Sequence, residues 1–326
     1  MVEQLLLHVG YHKTATTWMQ QRLFVPEHGF RQVARHAEAW KHVVGVHGLL
    51  FDPKNMRDAI AEGTAELREG EVPVVSSEIL SGHPFYGGMS SDVFAERLKE
   101  IAPDARILIS VRHQRKMLTS VYMQYLSRGG TMSPATFFAG DPDLGFYGFR
   151  PENFEYHRLV ALYQRLFGAE NVHVLSQESL ARDMDGVSLA VARFAGNLRF
   201  EKVLPTHRAV YAPSYPEYAV PILRRINKFQ KSVLTPAPVF GVGRTPRGLY
   251  RLVGAGMRRP PFPALFKHFR PVSDQVDRQF TGRFDESNRM LAAMIAQDLN
   301  WPALPPGPPS GSPARPGRLA GAKVAG

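Results

Sequence analysis

The chain has 326 residues, 44% of them hydrophobic, enough to bury a sizeable core in one large α/β domain or two small ones. It contains no cysteine, which excludes disulfides, thiolate catalysis and cysteine-based zinc sites and suits a reducing compartment. A formal net charge of +11 admits three partners: nucleic acid, an anionic membrane or a polyanionic small ligand. The apolar run Leu5–Val9 has no basic stretch before it and is too short for a signal sequence, and no stretch approaches the ~20 apolar residues of a spanning helix. The expectation is a soluble, cytoplasmic chain without a cleaved leader.

Strands are expected at 4–9, 72–77, 105–111 and 171–176, and helices at 15–24, 91–101, 114–128, 152–167, 186–196, 217–230 and 285–298. Short apolar strands alternating with helices predict a parallel sheet covered on both faces. Ligands of such sheets sit at the carboxyl ends of the strands. Gly10, Glu78 and Arg112 all lie at or just past such ends. The whole of 1–301 reads as a single α/β domain, with 218–280 a basic, irregular excursion. From Pro302 the chain is about half Pro and Gly, with no aromatic and no acid, and is expected to be disordered.

Residues 5–18, LLLHVGYHKTATTW, carry the most information. An apolar strand stops at Gly10, a short polar loop follows, and Trp18, Met19 and Leu23 continue at helical spacing. The loop amides and the helix N-terminus make an anion site, to which Lys13 adds a charge and Thr14, Thr16 and Thr17 add hydroxyls. It is not a GxxxxGK[ST] loop, because Gly10 comes only three residues before Lys13. A second strand, 105–111, runs into RHQRKMLTSVYMQYLSRGG. Arg112 at the strand end and Ser120 two turns into the next helix can reach one phosphate from two sides.

HKTATTW at 12–18 resembles the 5′-phosphosulfate loop, PKxGTTW, of sulfotransferases that use PAPS (3′-phosphoadenosine-5′-phosphosulfate). His12 stands where proline is usual and Ala15 where glycine or serine is usual. Arg112, Arg115, Ser120, Tyr122 and Gln124 fall on or near that family's 3′-phosphate motif, with His113-Gln114 replacing the usual Asn/Asp-Pro. Residues 171–180 and 284–301 are similar to two further stretches of the family. The resemblance spans roughly 4–301 and leans toward bacterial, glycan-acting members.

It implies a P-loop-like three-layer fold and sulfuryl transfer from PAPS to a hydroxyl, on a carbohydrate or glycolipid acceptor, without a metal. It implies cofactor binding by His12, Lys13, Thr14, Ala15, Thr16, Thr17, Trp18, Arg112 and Ser120. Arg208 lies where relatives bring a loop over the nucleotide, beside His207 and Tyr211. Lys13 would stabilise the leaving phosphate as charge develops. Glu78 is the expected general base, His83 its rival, and His12 and His113 flank the phosphate motifs. Glu178 reads as structural. Two other readings stay open: a nucleotide kinase, and a non-catalytic binder of anionic glycan or membrane. From Tyr218 to Ser273 there are eleven Lys or Arg and no acid, interleaved with aromatics. That stretch shows no nucleic-acid module, so no nucleic-acid partner is expected. It reads as a solvated loop, a lid on the acceptor side, or a patch in peripheral contact with an anionic membrane.

Overall fold

The computed structural model describes residues 4–140, 143, 147–209, 215–238, 240–241, 243–295, 299 and 301. Tyr211 and the tail from Pro302, expected above to shape the site and to be disordered, lie outside them.

Five parallel strands form one sheet: β1 Leu6–His8, β2 Phe30–Ala34, β3 Val72–Ser76, β4 Arg106–Val111 and β5 Val172–Ser176, in the order β2-β3-β1-β4-β5. Helices α1 Thr16–Trp18, α2 His36–Ala39, α3 Pro53–Thr64 and α4 Ser91–Ile101 connect the first four strands. After β4 come α5 Gln114–Ser127, α6 Pro134–Phe138 and α7 Tyr156–Phe167. After β5 come α8 Gln177–Arg182, α9 Met184–Ala195, α10 Val220–Asn227, α11 Leu249–Gly256, α12 Phe262–Leu265, α13 Pro271–Phe280 and α14 Asp285–Ile295.

The strands are apolar along their whole length because both faces are covered. Alternate residues feed two separate cores. Leu7, Val75, Ile107 and Ile109 join the α4, α5 and α7 side with Leu98, Met117, Val121 and Val160. Leu6, Val74, Leu108 and Leu175 join Trp18, Met19, Leu23, Val191 and Ala195 on the other side. This is the three-layer α/β fold expected from the sequence.

Two regions depart from expectation. Phe30–Ala34 is an edge strand whose register shifts between Gln32 and Ala34, so its short sequence has no clean alternation. The excursion 218–280 is more regular than its Pro and Gly content suggests. Beyond α10, which lies within the helix expected at 217–230, it holds α11 to α13, and α13 buries Val272, Val276 and Phe280 at helical spacing.

The chain leaves β1 toward β2 on one side of the sheet and leaves β4 toward β5 on the other. The β1/β4 pair is therefore the topological switch point, where the connections diverge and open a crevice. Both sequence motifs emerge there.

Candidate active site at the β1/β4 crevice

Beyond β1 the chain keeps pairing with β4: Val9 N–H donates to Leu108 O at 3.0 Å and Tyr11 N–H to Ser110 O at 2.9 Å. It then turns through Lys13 (φ 65°) and Ala15 (φ 67°), both left-handed. That conformation costs a non-glycine residue roughly 1–2 kcal/mol, and it cups the loop ahead of α1. The first-turn amides of Thr16, Thr17 and Trp18 have no carbonyl within the helix to reach and remain available to an anion. Past Trp18 the helix widens into a π turn, Met19–Leu23, closed by Phe24 N–H to Met19 O at 2.7 Å.

The loop threonines divide their work. Thr14 is buried, and its hydroxyl contacts Tyr11 O at 2.5 Å and Ser110 Oγ at 2.7 Å. Its side chain holds the loop shut, leaving only its backbone for a ligand. Thr16 is buried and Thr17 exposed. Trp18 places its ring in the core and donates its indole N–H to His207 O at 2.8 Å. That bond staples the 204–209 segment over α1. Arg208, on that segment, pairs with Asp185 of α9 at 2.5 Å, which holds the Asp185 carboxyl below its ordinary range. The arginine thus faces an outer helix.

Arg112 and Lys13 are brought together. Arg112 Nη1 donates to Lys13 O at 3.4 Å, and its buried Nε has no partner among the described residues. Burial lowers the pKa of both groups, and the Arg112 charge lowers that of Lys13 further, against the opposing pull of Glu78. Two half-buried cations crowded into one crevice are stabilised by an incoming anion. Tyr156 of α7 braces the backbone of both segments: its hydroxyl donates to Arg112 O at 2.7 Å, and its ring lies edge-on to Tyr11, two residues before Lys13, at 4.6 Å. Glu178 accepts from His113 N–H at 3.3 Å, supporting the start of α5.

Ser120 is half-buried one face along α5, with no side-chain hydrogen bond among the described residues. Arg115 instead turns outward, to a two-bond pair with Asp277 of α13. Tyr122 is buried and donates to Met132 O at 2.8 Å.

On the β3 side of Lys13, Glu78 opens a 3-10 turn, Glu78–Ser81, whose Ser81 hydroxyl reaches Gly10 O at 3.4 Å. Gln20, on the π turn, donates to Glu78 Oε2 at 3.3 Å and to Ser76 O at 3.2 Å. His83 lies nearby, its ring 5.8 Å from that of His12. Its Nδ1 accepts from Phe85 N–H at 3.3 Å, so the neutral ring carries its proton on Nε2 and offers no base there. Burial holds His83 at about 4 and His12 at about 3, the latter lowered further by His83, His36, Lys13 and Arg128. Both are neutral at pH 7. His12 Nε2 is buried without a hydrogen-bond partner among the described residues.

The site also contains a residue that sequence reasoning passed over. His8, fully buried in β1, bridges its two neighbouring strands: Nδ1 to Ser76 Oγ at 2.7 Å and Nε2 to Ser110 Oγ at 3.0 Å. Ser110 continues to Thr14, and Ser76 accepts from Gln20, which also donates to Glu78. One chain of hydrogen bonds thus runs from the Glu78 carboxylate to the Lys13 loop. Gly10 makes room for it, since a Cβ there would lie 1.8 Å from Ser110 Oγ and 2.6 Å from His8 Nε2. A polar histidine inside an apolar strand was the available signal.

No family model matches the sequence, and no curated protein matches it. The fold is similar to the crystal structure of a sulfotransferase from Alicyclobacillus acidocaldarius, with a TM-score of 0.54 and 19% identity over 92% of this chain and 98% of that one. Mouse sulfotransferase SULT7A1 complexed with PAP overlaps at a TM-score of 0.38 and 12% identity, over 89% and 88% of the two chains. The sulfotransferase domain from the curacin biosynthetic pathway overlaps at 0.38 and 11%, over 91% and 99%. The first likeness establishes the fold; the other two are too loose to locate a residue.

Proposed function

We propose that this protein transfers a sulfuryl group from PAPS to a hydroxyl on a carbohydrate or glycolipid. The observation that carries this reading is the meeting of Lys13 and Arg112 at the β1/β4 crevice, each from a different phosphate-type motif. A donor with phosphates on both ends of one adenosine suits two such cradles. The loop amides of 13–18 and Lys13 would hold the 5′-phosphosulfate, and Arg112 with Ser120 the 3′-phosphate. Arg208, paired with Asp185, would join the nucleotide only by leaving that pair.

In the reaction, the acceptor oxygen attacks sulfur, the bond from sulfur to the bridging oxygen breaks, and the acceptor proton passes to a base. Sulfuryl transfer asks the protein mainly for positioning and charge stabilisation. Lys13, desolvated and next to the bridging oxygen, would neutralise charge on the departing phosphate. Glu78 is the base best supported, because Gln20 orients its carboxylate while His83 presents a protonated nitrogen. The proton leaves the acceptor as the S–O bond forms, so the carboxylate must sit within one hydrogen bond of that hydroxyl.

Incubation with radiolabelled PAPS and a panel of carbohydrates and glycolipids tests this. The expected result is a labelled acceptor and free PAP, with Lys13→Ala lowering turnover by about 10²-fold or more while circular dichroism is unchanged. Full turnover by Lys13→Ala would contradict the role given to that residue. Magnesium-dependent ATP turnover without sulfuryl transfer would favour a kinase.

A further inference from the structure

We infer that the surface formed by residues 247–270 docks this protein on an anionic lipid bilayer. The segment is anchored from within. Tyr250, Gly254 and Met257 are buried, and Phe262 packs against the core. Tyr218 donates its hydroxyl to Met257 O at 2.7 Å and stacks on Phe266 at 5.8 Å. Asn227 of α10 ties the base of the excursion to the end of α5, donating to Leu126 O and Gly130 O at 2.8 and 2.9 Å. The face is therefore built into the fold.

Its outer side is both greasy and cationic. Leu252 is 71% exposed and Leu265 69%, with Leu249, Phe266 and Phe269 also exposed. Arg247, Arg251, Arg259, Lys267 and Arg270 lie exposed among them. Single exposed leucines are ordinary, but five exposed large apolar side chains and five exposed cations within one 24-residue stretch mark an interaction site.

The mixture selects the partner. A soluble polyanion would pair with the cations and leave Leu252 and Leu265 in water. A second copy meeting this face symmetrically would set these five exposed cations against the same five, with no acid between Tyr218 and Ser273 to relieve them. An anionic bilayer takes both kinds of group, the leucine and phenylalanine side chains at the acyl boundary and the arginines at the headgroups. The inference does not depend on sulfuryl transfer.

Flotation of the full chain with vesicles of phosphatidylcholine alone, or of phosphatidylcholine mixed with phosphatidylglycerol, tests it. Binding to the mixed vesicles only, weakened by salt, is expected. The double variant Leu252→Ser, Leu265→Ser should bind at least about tenfold more weakly. Arg251→Ala with Lys267→Ala should lose about thirtyfold, at about fivefold per charge. Both variants should keep the wild-type melting temperature, since these side chains lie in water. Equal binding to neutral vesicles, no binding to either, or undiminished binding by both variants would overturn the inference. So would a dimer in analytical ultracentrifugation that the leucine variant dissolves.

Discussion

At the scale of single residues, the site is a set of assigned protonation states. Burial and neighbouring charge leave His12 and His83 neutral, and the hydrogen bond from Phe85 leaves His83 without a free lone pair. Glu78→Gln should therefore lower turnover by about 10²-fold or more, and His83→Gln far less; steady-state rates of the two variants decide between them. His8 is the residue whose titration reaches stability. Burial holds it at about 4 against an ordinary 6.5, so the unfolded chain binds a proton that the folded chain refuses between those values. Stability contributed by neutral His8 is complete above pH 6.5 and is lost as pH falls toward 4, by roughly 3 kcal/mol. Urea unfolding at pH 7.5 and pH 5 should show His8→Gln with a smaller drop than wild type; an equal drop would remove His8 from the account. His8 was hard to read because its partners Ser76 and Ser110 lie 68 and 102 residues away in sequence.

At the scale of elements, two junctions do the positioning. Gly10 lies two residues past β1, where any Cβ would collide with Ser110. Gly10→Ala should destabilise by about 1–3 kcal/mol through this overpacking, seen as a lowered denaturant midpoint; a wild-type midpoint would mean the relay has slack. Arg115 is the informative contrast to Arg112, since both belong to one motif. Arg115 ties α5 to Asp277 of α13, so Arg115→Ala should cost about 1 kcal/mol of stability yet leave nucleotide affinity near wild type. Arg112→Ala should weaken affinity about ten- to a hundredfold, as loss of a charge-assisted contact does. Titration calorimetry with PAP separates the two. The strand–loop–helix units around Lys13 and Arg112 were legible because each is local, an apolar run meeting polar residues at a fixed offset. Phe30–Ala34 was not, because an edge strand with a register shift carries Arg31 and Gln32 in mid-run. In α13 the spacing Val272, Val276, Phe280 was present in the sequence, but the Pro- and Gly-rich stretch before it masked the helix.

At the scale of the whole molecule, the sheet order brings together what the sequence separates. Lys13 and Arg112 are 99 residues apart and meet because β1 and β4 are neighbours whose connections diverge. The same sheet carries β3 on the other side of β1, which sets Glu78 close enough to influence the charge of Lys13. Arg112 thus lies on the β4 side of the Lys13 loop and Glu78 on its β3 side. Donor and acceptor would then approach from opposite sides of one loop. The sequence motifs singled out Lys13 and Arg112 but not the hydrogen-bond chain through His8, since only the assembled sheet aligns Ser76, His8 and Ser110. A crystal structure of the protein with PAP tests this arrangement most directly. The 5′-phosphate is predicted on the amides of 13–18 beside Lys13, and the 3′-phosphate on Arg112 and Ser120. A nucleotide bound away from the β1/β4 crevice, or with its 3′-phosphate in water, would contradict it.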